Sequence, residues 1–241
     1  MKKLLKITNL PWFTLVASVA ALLLSARFYN RASGTGELLN HRHPAGIALL
    51  VLCGIVLLLL FLASRMLPKE GKLEELLPAA PIRGIGCFIG TVGIAISCIL
   101  MATATDFMTI LSLLLGIVAG VCLLFVGSQR MFKMQPHYVF YGLITLFFMI
   151  LGLVRCRQWG AETQIMWYFF SLLAQVFLLL TVFQCTSVCA NGKNARLLIF
   201  FSNAAVLFCC AAFPARNDPF FLTCAIWLML DCCFFKLPVK E

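Results

Sequence analysis

Charge is scarce in this sequence. Only 12% of its 241 residues are charged, where a soluble domain averages about 25%. Acids are scarcer still, nine Asp and Glu against nineteen Lys and Arg. Long runs without charge exclude a water-soluble globule. Enzyme signatures are also missing. There is no nucleophile elbow, no paired-histidine zinc helix and no phosphate-binding glycine loop. No acid–base or nucleophile pair is visible, so an intramembrane enzyme is the least favoured reading. No cofactor is implied.

Histidine is limited to three residues. His41 and His43 share a loop with Glu37, but no helix or strand spacing fixes them and Arg42 between them opposes a cation. The expectation there is a solvated loop, and no metal is assigned. The net charge of +10 does not argue for nucleic acid. The basic residues fall at the ends of apolar runs rather than in one patch, which suits topology determinants and headgroup contacts.

What the sequence does have is apolar length. Hydrophobic residues make up 62% of it. Eight runs are read as spans, at about 7–26, 45–64, 84–104, 107–129, 137–154, 163–186, 197–213 and 220–235. The expected fold class is therefore all-α, a polytopic integral membrane helix bundle of about eight transmembrane helices in a single membrane domain. The first run follows Lys2, Lys3 and Lys6 as a signal peptide would. Leu24 stands where a cleavage site wants a small residue, so a retained span is expected. Pro68, Pro78 and Pro81 punctuate the loop after span 2, and Lys69–Leu77 reads as a short interfacial helix. Trp167 and Tyr168 suit an aromatic interface belt.

With eight spans, thirteen Lys and Arg fall on one side and six on the other. The positive-inside rule then places both termini in the cytosol and the protein in the cell membrane. Asp106, Arg155, Arg157 and Asp218 fall on the outer face. Loops alternate in style along the chain, which raises a weak parallel repeat of 1–131 and 137–241.

Between Arg83 and Arg130 the only charge is Asp106. Gly86, Gly90, Gly93 and Ser97 repeat at helical spacing, as do Ser112, Gly116 and Gly120 in the next span. Lipid offers no hydrophobic force between helices, so small residues that let backbones approach are the usual packing device. A tight turn at Ala104–Asp106 would let the two stripes face each other. The other role for such glycines is to line a substrate path.

Three polar residues inside spans are the substrate or coupling candidates. Asp231 is the only acid within a span, and intramembrane acids raise a functional hypothesis. Its span ends near Lys236, so the competing expectation is a carboxylate that reaches headgroups or pairs with lysine. Gln175 and Asn203 would either bond across helices or contact a polar solute.

The twelve cysteines lie mostly in apolar runs, where Cys acts as a small hydrophobe. Cys185, Cys189, Cys232 and Cys233 fall toward one side, and Cys209 or Cys210 comes level with Cys224. A thiolate metal site and an oxidised pair are the functional versions of these two groupings.

No stretch resembles a family closely enough to name one. The leading functional reading is a small permease or the membrane component of a transporter. The second is an accessory or sensor subunit acting through helix contact with another membrane protein, as a hetero-complex or homo-oligomer. The lipid bilayer is the one partner expected under both.

Overall fold

The structure is a computed structural model that describes residues 10–33, 43–66, 77–78, 80–102, 106–132, 134–160, 168–192 and 194–233. Among them there are eight α-helices and no strand. They are α1 (Leu10–Ser33), α2 (Pro44–Arg65), α3 (Pro81–Met101), α4 (Phe107–Met131), α5 (Tyr138–Gly160), α6 (Phe169–Asn191), α7 (Ala195–Arg216) and α8 (Pro219–Leu228). A π-helical turn, Met229–Cys233, continues α8. Seven helices are long and apolar enough to cross a bilayer, and α8 with its π turn is a shorter apolar helix. The all-α membrane bundle expected from the sequence is the fold. All of the expected interfacial helix at 69–77 except Leu77, the His41 and Glu37 part of the first loop, Glu162, Trp167 and the basic tail from Lys236 lie outside the described residues.

Local chemistry sets the helix ends. Pro44, Pro81 and Pro219 stand in the first turns of α2, α3 and α8, where a missing N–H costs nothing and φ is preset. Asp218 caps α8, its carboxylate accepting from the Phe220 N–H at 3.0 Å. Asn217 turns the chain between α7 and α8 at φ 52°, a left-handed conformation that Asn tolerates better than most residues.

Helix contacts close a ring. α3 packs on α4, α4 on α5, α5 on α6, α6 on α7, α7 on α8, and α8 returns to α3. α1 lies against α7, and α2 sits outside on α1 and α7. Burial follows this order. In α7 the most apolar window is 67% buried, and in α2 only 22%. Leu50, Val51, Ile55, Leu58 and Leu62 of α2 are exposed, as lipid-facing residues should be in a bilayer where apolar exposure carries no penalty. Rings hold the interior: Phe177 of α6 stacks on Phe208 of α7 at 5.0 Å, and Phe148 of α5 stacks on Trp227 of α8 at 6.4 Å.

The small stripes take different partners from the expected ones. A Cβ on Gly90 would lie 2.8 Å from the Trp227 ring, and one on Gly86 2.9 Å from the Leu230 Cβ. On Gly93 it would overlap the Thr223 side chain. The α3 stripe thus abuts mainly α8 and its π turn, with Gly90 also close to Leu123 of α4. Ser97, at the end of the stripe, receives a hydrogen bond from Arg155 of α5. Gly116 and Gly120 do approach α3, at Cys98 and Thr91, and Ser112 is buried. The closest α3–α4 approach falls at Gly84 and Gly127, where a Cβ on Gly127 would lie 3.0 Å from the Cys87 Cβ. The physical reason is geometric: α8 carries Trp227, and only a glycine groove admits an indole at helix-packing distance. The turn residues 103–105 lie outside the described residues.

Candidate functional site

α8 is anchored at both ends by a buried arginine and a carboxylate. At its first turn, Arg155 Nη2 of α5 contacts Asp218 Oδ2 at 3.1 Å and Ser97 Oγ at 3.3 Å. The same guanidinium lies 4.4 Å from the Phe220 ring centroid and 5.1 Å from that of Phe221. Cation–π contact gains strength in such a desolvated setting. Beside it, Arg157 and Asp106 pair at 3.9 Å on the exposed rim. Asp106, Arg155, Arg157 and Asp218 therefore share one end of the bundle.

The other end holds Asp231, in the π-helical turn, with no exposed surface. π turns concentrate at functional positions because they splay the backbone ladder. Arg83, from the first turn of α3, donates through Nη1 to the backbone carbonyl of Asp231. A cation at a helix N-terminus opposes the macrodipole, and a carbonyl at another helix's C-terminal end offsets this. Arg130, from the last turn of α4, sits with its dipole. Its Nη1 donates to the Leu77 carbonyl at 2.8 Å, its Nη2 to the Tyr141 hydroxyl at 3.4 Å, and its Nε lies 3.8 Å from Asp231 Oδ1. Arg83 is 4% exposed, Arg130 2% and Tyr141 1%. The thiols of Cys87 and Cys232 lie 3.8 and 3.9 Å from Asp231 Oδ2. Neither Arg130 Nε nor Asp231 Oδ1 has a hydrogen-bond partner.

This is an unusual place for a carboxylate. Its partners are two weak thiol donors and a guanidinium just beyond hydrogen-bond range, where buried ionic groups normally saturate their bonds. Among the described residues both charged neighbours of Asp231 are arginines and its side chain is enclosed, while Lys236 lies outside the described residues.

Gln175 and Asn203 lie elsewhere. Gln175 Nε2 of α6 donates to the Phe148 carbonyl of α5 at 3.1 Å, while its Oε1 has no partner. Asn203 of α7 donates to the Ile199 carbonyl at 2.6 Å and accepts from Thr14 of α1 at 2.7 Å. The three polar candidates thus serve three different helix contacts and do not converge.

The cysteines also sort by position. Cys185 of α6 and Cys232 of the π turn are neighbours. Among the described residues no group of three or more His, Cys, Asp or Glu side chains has metal-holding geometry. Cys209 and Cys224 are neighbours near Arg155, and all twelve cysteines are free thiols.

Arg83, Arg130, Tyr141 and Arg155 carry the two ends of α8, and none stands out as a site from composition. A signal exists for two of them. Arg83 extends the α3 stripe Gly86, Gly90, Gly93, Ser97 backward at the same spacing. Arg130 extends the α4 stripe forward through Gly127. An arginine in register with a small-residue stripe points into a helix contact, not toward headgroups.

No family model matches the sequence, and neither the curated proteins nor the solved structures compared with it contain a match. What the chain belongs to is thus the broad class its helices define, a multi-pass helical bundle suited to a lipid bilayer.

Proposed function

We propose that the chain is a small permease or the membrane component of a transporter, with α8 as its internal moving element. One observation supports this above the others. α8 with its π turn lies largely buried between α3 and α7 and carries an arginine–carboxylate contact at each end, Arg155 with Asp218 and Arg130 with Asp231. The thirteen-residue step between those carboxylates corresponds to about 20 Å of helix. Charged groups buried at membrane depth are costly and mark ion or solute pathways more often than scaffolding. Two such contacts, separated by the Gly90–Trp227 plug, are suited to opening alternately. In this reading the rim with Asp106 and Asp218 faces outward in the cell membrane, and the Asp231 end faces the cytosol, as the lysine and arginine distribution requires.

Native mass spectrometry of the protein, extracted gently from its own membranes, tests the reading. A retained small molecule supports a permease. A retained membrane protein in its place overturns it in favour of an accessory or sensor subunit. The Asp231→Asn variant separates the two further: lost solute uptake with assembly intact fits the permease, and lost assembly fits the accessory subunit.

A further inference from the structure

The groups around Asp231 are rich in donors. Arg130 of α4 and the thiols of Cys87 and Cys232 approach its carboxylate, Arg83 of α3 donates to its backbone carbonyl, and the Tyr141 hydroxyl of α5 accepts from Arg130. The carboxylate of Asp231 is the one anionic acceptor among these groups, and it is poorly engaged. Its Oδ1 has no hydrogen bond, and the nearest guanidinium nitrogen, Arg130 Nε, has none either. The two substituents of Arg130 that are engaged meet a backbone carbonyl and a phenol, both neutral.

A guanidinium cannot shed its proton inside a protein, so its demand for an anion is permanent. A carboxylate held at 3.8 Å meets that demand only in part. Charge-assisted bonds to phosphate or carboxylate form at about 2.7–2.9 Å and are roughly twice as strong as neutral ones. An incoming anion that reaches Arg130 Nε therefore gains contacts that Asp231 does not make. Arg83 and Arg130 stand in terminal turns of their helices, and both side chains are buried, so an anion reaches Arg130 Nε only where the helix ends around it part.

We propose that Arg130, with Arg83 and Tyr141, forms an anion-binding site for a phosphate or carboxylate group, and that Asp231 is an internal carboxylate competing for the same guanidinium. This rests on the permease reading for its role in transport but not for binding. The phosphate can belong to a free solute or to a lipid headgroup. Bound anion and Asp231 oppose each other at Arg130, so Asp231 sets how readily the site is released.

The test is thermal stability of the full chain in phosphatidylcholine nanodiscs, titrated with inorganic phosphate and, separately, acetate. A ligand of the folded state raises the midpoint in proportion to the logarithm of its concentration. Native protein is expected to show this rise. Arg130→Gln is expected to abolish it, and Asp231→Asn to tighten it by about tenfold, an ordinary size for coupling between two ligands of one site. Loss of fold cannot produce a tightened response, so Asp231→Asn carries the test if Arg130→Gln fails to fold. If the occupant is a headgroup, discs containing phosphatidic acid raise the midpoint of native protein but not of Arg130→Gln, and free phosphate adds nothing further. No response to phosphate, acetate or phosphatidic acid overturns the site, as does a response equal in native, Arg130→Gln and Asp231→Asn protein. Binding that depends on Arg130 without solute flux into proteoliposomes upholds the site and sinks the permease. Flux of a neutral or cationic solute, indifferent to Arg130→Gln, does the reverse.

Discussion

Arg130 Nε of α4 and Asp231 Oδ1 of the π turn after α8 face each other at 3.8 Å, both buried and neither hydrogen-bonded. Such a contact holds the helices by charge without the geometry that would make it strong. Removing one partner leaves a buried charge uncompensated, whereas removing both does not. Arg130→Met and Asp231→Leu should each cost about 1–3 kcal/mol, below the full range for a well-bonded pair. The double variant should cost less than the two together. A double-mutant cycle by chemical unfolding in micelles checks this, and strict additivity would show that the two groups do not interact.

The glycine groove should be selective along its length. Gly90→Ala and Gly93→Ala place a methyl group into Trp227 and Thr223 respectively, and overpacking of this kind costs about 1–3 kcal/mol. Gly54→Ala on the lipid-facing α2 meets nothing within 4 Å and should be neutral or stabilising by up to about 1 kcal/mol through helix propensity. Thr223→Ala should recover part of the Gly93→Ala loss, because the hydroxyl is the group in the way. Thermal midpoints of the four variants decide it.

Arg155→Lys should behave as a loss, not a conservative change. Lysine carries the charge but lacks the planar fork that reaches Asp218 and Ser97 together and lies over Phe220. About 1–2 kcal/mol is expected, from the hydrogen bond to a charged group and the ring contact. Asp218→Asn retains a capping acceptor for α8 and should cost less than Asp218→Ala. Unfolding measurements that rank the two Asp218 variants equally would show that the cap contributes nothing.

Thiol accessibility reports orientation. Cys156 is exposed, next to Arg155 and Arg157, while Cys87, Cys209, Cys224, Cys232 and Cys233 are fully or almost fully enclosed. A membrane-impermeant maleimide should label native protein at Cys156 in intact cells if the Asp106–Asp218 rim faces outward. Labelling of Cys156 only after the membrane is opened would invert the orientation and place both ends of the bundle opposite to the lysine and arginine rule.

Asn203 provides a check on structural polar contacts. Its bonds run to Ile199 and Thr14 and join α7 to α1. Interhelical bonds in membranes average about 0.6 kcal/mol. Thr14→Val should therefore cost about 0.5–1.5 kcal/mol while leaving any solute uptake unchanged. A loss of uptake with stability intact would move Asn203 from packing into the transport path.

The helices were legible because a bilayer leaves few alternatives. Every backbone polar group must be satisfied within its own segment, so apolar length translates directly into helix, and the proline and Asp218 caps mark where several helices start. Several helices run past the ends of their uncharged stretches, as at Arg130 and Arg157, because an arginine in a terminal turn ends an apolar run without ending the helix. Asp231 was legible as an acid in a span. Its arginine partners were not, since a basic residue at a span edge serves topology in most chains and nothing local separates that role from pairing. The small stripes identified faces that approach another helix but not which helix, because any groove of glycine fits many neighbours. That choice was made by Trp227, whose ring fills the groove at Gly90 from α8. Sequence alone determined that this chain is a bundle of apolar helices. Only tertiary packing decided that α8 closes the ring against α3 and brings Arg83, Arg130 and Asp231 together, because such contacts depend on shape complementarity between segments far apart in the chain, and helical periodicity carries no record of the partner.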